Sequence, residues 1–275
     1  MSADYTFSRF VYFDTNIISD LVKSKHLWRP LFDFLEKNDL TLGLSGAQVV
    51  ELSDVKKLHE DLVALFLGVP CALLKPWNMV LDEEVKAHPH ERKESLLLYP
   101  LNAMLLEPKG VEKLQDLLSS RELCAARSDQ LNDAGKMAQS HAQLKDNFPL
   151  SNTGKYTRNQ ADEFAWMEVM QWLACTHHEF LVTFQNNIES FHPEVFLSIR
   201  LLAHVIFYKY YLGQREPKKL SDFGDLAHLA SIPYCELAVM ERDLCNILNQ
   251  IKRNHDTLKY TVVRNIEFLK DWSWR

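Results

Sequence analysis

Long apolar runs are missing from this chain. No stretch reaches the roughly eighteen uninterrupted hydrophobic residues of a membrane span. Cysteine is scarce: Cys71, Cys124, Cys175, Cys235 and Cys245 are far apart, odd in number and in no metal-ligand spacing. That excludes a disulfide framework and a cysteine zinc site, and it predicts reduced core residues in an intracellular protein. Excess basic charge is also missing. Thirty-one Lys and Arg stand against thirty-seven Asp and Glu, a net charge of −6. With no global basic field, any nucleic-acid contact must come from local basic patches or bound metal ions. The start, MSADYTFSRF, lacks the basic beginning and long apolar core of a signal peptide. Repeats and low-complexity tracts are absent. Together these point to a soluble, cytoplasmic protein with no membrane contact.

What is present is core-forming material. The 275 residues are 47% hydrophobic and 11% aromatic, enough for one large domain or two small ones. The most informative stretch is Arg9–Ile18, RFVYFDTNII. Phe10 to Phe13 has the β-branched and aromatic character of a buried strand. Asp14, Thr15 and Asn16 follow, and a helical pattern begins at Ile17. A carboxylate at the carboxyl end of a strand, just before a helix, occupies the place where open α/β sheets bind ligands. Capping of the helix alone explains Asp14 equally well.

Strand and helix then alternate. Helices are expected over Asn16–Lys25, Trp28–Lys37, Ala47–Val55 and Lys57–Leu67, and strands at Leu40–Leu44 and Cys71–Leu74. This order implies a parallel sheet with helices on its faces. Glu51 falls on the apolar face of its helix, so it needs a partner, a metal or an opening to solvent. From about Val80 to Arg215 the periodicity is almost wholly helical. Gln160–His178 and Pro193–Leu212 are strongly apolar, the latter interrupted by Arg200 and His204, and Phe148–Asn159 reads as a loop. Near the end come a helix over Ser221–Ser231, stopped by Pro233, then strand Leu237–Met240, helix Asp243–Arg253 and strand Tyr260–Val263.

Glu241 directly follows Leu237–Met240 and so repeats the position of Asp14. Asp225 and His228, three apart, share a helical face. If the two ends of the chain share a sheet, Asp14, Glu51, Asp225 and Glu241 converge on one crevice. Carboxylates crowded together repel unless cations lie between them. An oxygen-only donor set suits Mg²⁺ or Mn²⁺.

These motifs resemble those of PIN-domain nucleases. The hydrophobic strand followed by Asp-Thr-Asn is matched by Val11–Asn16, and the helical Glu by Glu51 in SGAQVVEL. The distal Asp-x-x-His, Pro-Tyr-Cys-Asp, strand and Thr-Asp pattern is matched by Asp225, His228, Pro233–Glu236 and Met240–Glu241. Here Glu236 and Glu241 replace Asp, and Met240 replaces Thr. The likeness covers 1–79 and 216–275 as a PIN-like α/β core, with 80–215 as a large, mostly helical insertion or cap.

The resemblance implies hydrolysis of a phosphodiester, most simply in RNA. Asp14, Asp225 and Glu241 would hold metal, and Glu51 would bind it or accept from its water. Asn16 would orient Asp14 or bond a phosphate oxygen, with Thr15, His228 and Glu236 in support. Lys155, Tyr156 and Arg158, with Arg215, Lys218 and Lys219, are the local basic groupings that could clamp a phosphate backbone, Tyr156 stacking on a base. A toxin or defence ribonuclease with an inhibitory protein partner is one form of this reading. A DNA nuclease uses the same chemistry, and a non-catalytic scaffold would explain the Glu and Met replacements. The apolar middle helices are either core or a homo-oligomer interface. His88, His90, His177 and His178 lack the further ligands of a zinc site.

Overall fold

Arg9–Phe13 forms strand β1, and both of its faces are apolar. Phe10 and Tyr12 join one buried cluster, Val11 and Phe13 another. A strand covered on both sides belongs inside a parallel sheet with helices on each face. The computed structural model describes residues 9–53, 55–118, 120–121, 148–150, 154–213 and 226–272. Its strands are β1, β2 (Leu40–Leu44), β3 (Cys71–Leu74), β4 (Leu97–Pro100), β5 (Leu237–Met240) and β6 (Val262–Asn265). They form one sheet in the order β4-β3-β2-β1-β5-β6. Every pairing is parallel except β3 with β4.

The helices are α1 (Thr15–Lys23), α2 (Trp28–Asn38), α3 (Gly46–Ser53), α4 (His59–Gly68), α5 (Trp77–Ala87), α6 (Leu101–Leu106), α7 (Gly110–Leu118), α8 (Gln160–Thr176), α9 (His178–Val182), α10 (Leu197–Ile206), α11 (Arg242–Asn254) and α12 (Phe268–Asp271). One face of the sheet packs on Ile17 and Leu21 of α1, Leu35 of α2, Leu62 of α4 and Phe268 of α12. The other packs on Val80 of α5, Phe164 of α8, Leu201 of α10 and Leu248 of α11. Gly43 lies in β2 where an added Cβ would come within 2.9 Å of the Leu74 side chain. A side chain there would have to push the Leu74 side chain aside.

The fold is therefore α/β, with a mostly parallel sheet flanked by helices, as the alternating pattern predicts. Several elements differ from expectation. Leu97–Pro100, inside the stretch expected to be helical, is an antiparallel edge strand. Pro193–Leu212 is not one α-helix: a 3₁₀ turn at Pro193–Val195 precedes α10, and Phe207–Leu212 continues as a π-helix. The described end of the helix expected over Ser221–Ser231 is a 3₁₀ helix, Ala227–Tyr234, and it contains Pro233 rather than stopping before it. The final strand starts at Val262, not Tyr260, because Val262 pairs with Leu237 while the Thr261 hydroxyl bonds the Ile232 carbonyl. Cys175 is exposed, unlike buried Cys71, Cys235 and Cys245, and all four are free. No single helix among the described residues is long and apolar enough to cross a membrane.

Candidate active site

Asp14 directly follows β1, and Glu241 directly follows β5. The strands are neighbours, with Phe13 paired to Val239, so both carboxyl residues leave the sheet at the same edge. Each is also the N-cap of the next helix, in nearly the same conformation: φ −56° and ψ 150° for Asp14, φ −56° and ψ 152° for Glu241. Strand order reverses at this pair, since the chain runs outward through β2 and β3 on one side and β6 on the other. Such a switch point opens a crevice at the carboxyl ends of the strands. Two helix N-termini face it, and their free N–H groups favour negative charge.

Asp14 both caps its helix and belongs to the crevice. One of its oxygens accepts from the Thr15 N–H at 2.8 Å. Burial, and then the charge of Glu241, push its pKa up to about 6. No cationic Lys or Arg among the described residues pairs with Asp14 or Glu241. Asn16, expected to steady Asp14, instead donates its amide to Glu241 at 2.5 Å. It lies on the first turn of α1, and its side chain reaches across the crevice rather than back along its own strand.

Glu51 is resolved as a positioned, half-buried carboxylate. Its two oxygens accept from the Thr15 hydroxyl at 2.7 Å and from His228 Nε2 at 3.0 Å. His228 is buried, and with its Nε2 donating, its Nδ1 accepts from the Ser45 hydroxyl at 3.2 Å. Ser45 and Gln48 form a reciprocal cap on α3: Gln48 N–H donates to the Ser45 hydroxyl, and Ser45 N–H to the Gln48 carbonyl. The Gln48 amide also donates to the Phe13 carbonyl at 2.5 Å. A fully buried glutamine thereby fixes the end of β1, and Asp14 with it, against the turn that starts α3.

Sequence reasoning passed over Ser45, Gln48 and Tyr12. The S-x-x-Q spacing of a capping box was the available signal for the first two. The Tyr12 hydroxyl is fully buried, close enough to Asp14 and Glu51 for their charges to raise its pKa further after burial has done so. The Ser45 side chain partly offsets that rise.

Other expected site residues fall elsewhere. Glu236 sits at the amino end of β5, the far edge of the sheet, where Arg9 Nε and Nη2 donate to its two oxygens at 3.0 and 2.9 Å. It is a strand tie, not a crevice residue, because the whole length of the strand separates it from Glu241. Tyr156 is not free to stack on a base: its ring packs against Tyr211 at 5.0 Å and Phe207 at 6.1 Å. Lys155 and Arg158 are exposed on the same loop, with Arg158 near Tyr208. Asp225, Arg215, Lys218 and Lys219 lie outside the described residues.

The donor chemistry of the crevice fits a hard divalent cation: carboxylates without a paired cation, one of them held partly protonated by burial and a like charge. Glu51 already spends both oxygens on protein donors. Among the described residues, the carboxylate and imidazole atoms close enough to share an ion belong to a different group, Asp162, His204 and His255. Compared with known proteins, the chain matches no family model, no curated protein and no solved structure.

Proposed function

We propose that this protein is a divalent-metal-dependent endonuclease with a PIN-like core, in which 80–215 supplies a mostly helical insertion. The observation that carries the reading is the placement of Asp14 and Glu241 at equivalent N-caps of neighbouring parallel strands, at the sheet's switch point. Asp14 and Glu241 would hold Mg²⁺ or Mn²⁺ together with Asp225. When bound, such an ion lowers the pKa of its water and stabilises charge developing on phosphate oxygens. Asn16 fixes Glu241, and Thr15 and His228 fix Glu51 as an acceptor beside the metal ligands. The two helix N-termini favour the phosphate. RNA is the substrate class favoured by the resemblance alone, and a role as a toxin or defence ribonuclease restrained by an inhibitory protein belongs to the same reading.

A second reading is a non-catalytic scaffold. The observation favouring it is that both Glu51 oxygens and one Glu241 oxygen are already hydrogen-bonded within the protein. Cleavage of labelled single-stranded RNA, structured RNA and DNA with Mg²⁺, Mn²⁺ or EDTA separates the two. Metal-dependent cutting lost in Asp14→Asn supports the nuclease. Absence of cutting on every substrate, with no thermal shift on adding metal, supports the scaffold.

A further inference from the structure

We propose a second metal site, for a zinc-class divalent ion, built from Asp162, His204 and His255. It is distinct from the carboxylate crevice and does not rest on the nuclease reading. Asp162 lies in the first turn of α8, His204 in α10, and His255 at the C-cap of α11. The site therefore joins two helices of the middle section to one from the last part of the chain. His204 Nε2 and His255 Nδ1 both approach Asp162 Oδ1, at 3.1 and 3.0 Å. All three donor atoms lie within 4.8 Å of one another. Ligands of a tetrahedral Zn²⁺ at about 2 Å stand about 3.3 Å apart, so admitting the ion needs only a slight opening.

The outer atoms strengthen the assignment. His204 Nδ1 meets the Thr257 hydroxyl at 3.0 Å, and His255 Nε2 meets the Tyr208 hydroxyl at 3.0 Å. With the carboxylate accepting from both rings, each hydroxyl donates to the outer ring nitrogen. An ion needs the inner nitrogens bare, which moves each ring proton to the outer nitrogen. A hydroxyl accepts as readily as it donates. Both imidazoles can thus exchange tautomers while keeping the same partners, with no net change in ring protonation. Outer partners of this kind orient the histidines of metal sites. A buried structural histidine needs only one such partner; here both rings have one, and both inner nitrogens aim at one point.

The carboxylate faces solvent while both imidazoles are buried: the Asp162 side chain is 60% exposed, that of His204 0% and that of His255 3%. Beside it lies an open hollow of about 450 Å³ lined by Asp162, Trp166, Glu194, Arg200, His255 and Asp256. Three protein ligands leave a fourth position toward this hollow, for water or a small ligand. Arg200 is 3.7 Å from Asp162 but 2.9 Å from Asp256, so it keeps an acidic partner when Asp162 turns to the ion.

The test uses full-length protein freed of metal by chelation, titrated with Zn²⁺ by calorimetry and with Co²⁺ by visible absorption. One Zn²⁺ site should persist in Asp14→Asn and weaken at least tenfold in Asp162→Asn and in His255→Gln. Asp162→Asn keeps an exposed acceptor of the same shape for both rings, and thermal melts of each metal-free variant confirm that it is folded before titration. Co²⁺ should give the intense bands of a four-coordinate nitrogen and oxygen site, lost in the same variants. Thr257→Val should weaken binding about tenfold without changing those bands. Absence of saturable Zn²⁺ binding overturns the proposal. So does binding that Asp162→Asn and His255→Gln leave intact, or that Asp14→Asn removes.

Discussion

The Asn16 amide donates to the Glu241 carboxylate across the seam between β1 and β5, joining residues 225 positions apart. It is a direct side-chain link between the two helix starts that frame the crevice. Asn16→Ala removes it from an exposed position, so stability should change by no more than about 0.5 kcal/mol. Metal-dependent cleavage should fall about tenfold, as Glu241 loses its fixed orientation. Thermal melts and single-turnover kinetics on one preparation check both halves.

Asp14 should titrate near pH 6 in metal-free protein. Its folded pKa lies above its unfolded value, so its contribution to stability is complete below about pH 4 and is lost as pH rises through 6. The loss amounts to about 3 kcal/mol at most. Asp14→Asn retains a good N-cap. It should therefore be more stable than wild type at pH 8 in EDTA and equal to it near pH 4. Saturating Mn²⁺ should reverse the order at pH 8 by stabilising wild type alone. Denaturant curves at the two pH values, with and without metal, decide this.

Glu84 gives a separate pH signature. It is fully buried, accepts from Ser198 N–H at 2.8 Å and from the Ser198 hydroxyl at 2.6 Å, and also bonds the Tyr234 hydroxyl. Burial outweighs these bonds and lifts its pKa to about 7. Its contribution is present below about pH 4.5 and is lost between there and pH 7, about 3 kcal/mol in all. Glu84→Gln keeps one acceptor for Ser198 N–H and Tyr234 and offers a donor to the Ser198 hydroxyl. The variant should gain on wild type steadily from pH 4.5 to 7 and by a constant amount above. A pH series of unfolding midpoints would show any other shape if burial did not dominate.

Gln48→Ala should be the most damaging single change near the crevice. It takes from the Phe13 carbonyl and the Ser45 N–H their Gln48 partner in the interior, and it leaves only the Ser45 half of the α3 cap, the bond from the residue 48 N–H to the Ser45 hydroxyl. The expected cost is about 2–4 kcal/mol. Because Phe13 precedes Asp14, metal affinity should fall as well, even in buffer where the variant stays folded. Calorimetric titration with Mn²⁺ provides that readout.

Glu236→Ala should leave cleavage unchanged. Its pair with Arg9 is about one-third exposed on each side, so the stability cost should stay near or below about 1 kcal/mol. A fall in rate comparable with that of Asp14→Asn would return Glu236 to the catalytic group.

Much of this was legible in the residues. Leu40–Leu44, Cys71–Leu74 and Leu237–Met240 are short apolar runs with clear punctuation, and the strands occupy those bounds. Because a strand's end fixes what leaves the sheet, Asp14 and Glu241 meet once β1 and β5 are neighbours, and that pairing was the condition the residues alone left open. Leu97–Pro100 was not legible. An edge strand with its two middle residues exposed has neither alternation nor a buried run to announce it. The partner of Asn16 was missed because a side chain's reach across two helix starts has no local pattern. His204 did stand out as a polar break in an apolar helix, but Asp162 and His255 come from other elements, and no spacing joins them. Glu236 matched a motif by order alone, and order does not say which end of a strand a residue occupies.

The pairing of β1 with β5 has a consequence for the timing of synthesis. β5 and Glu241 are made more than two hundred residues after β1. Until then β1 has only β2 beside it, and Asp14 caps a helix with no opposing carboxylate. A nascent chain on the ribosome, surrounded by RNA, thus carries half of the crevice and none of its closure. If the crevice cuts RNA, the linear order of the chain delays that capacity until β5 has been made and laid beside β1.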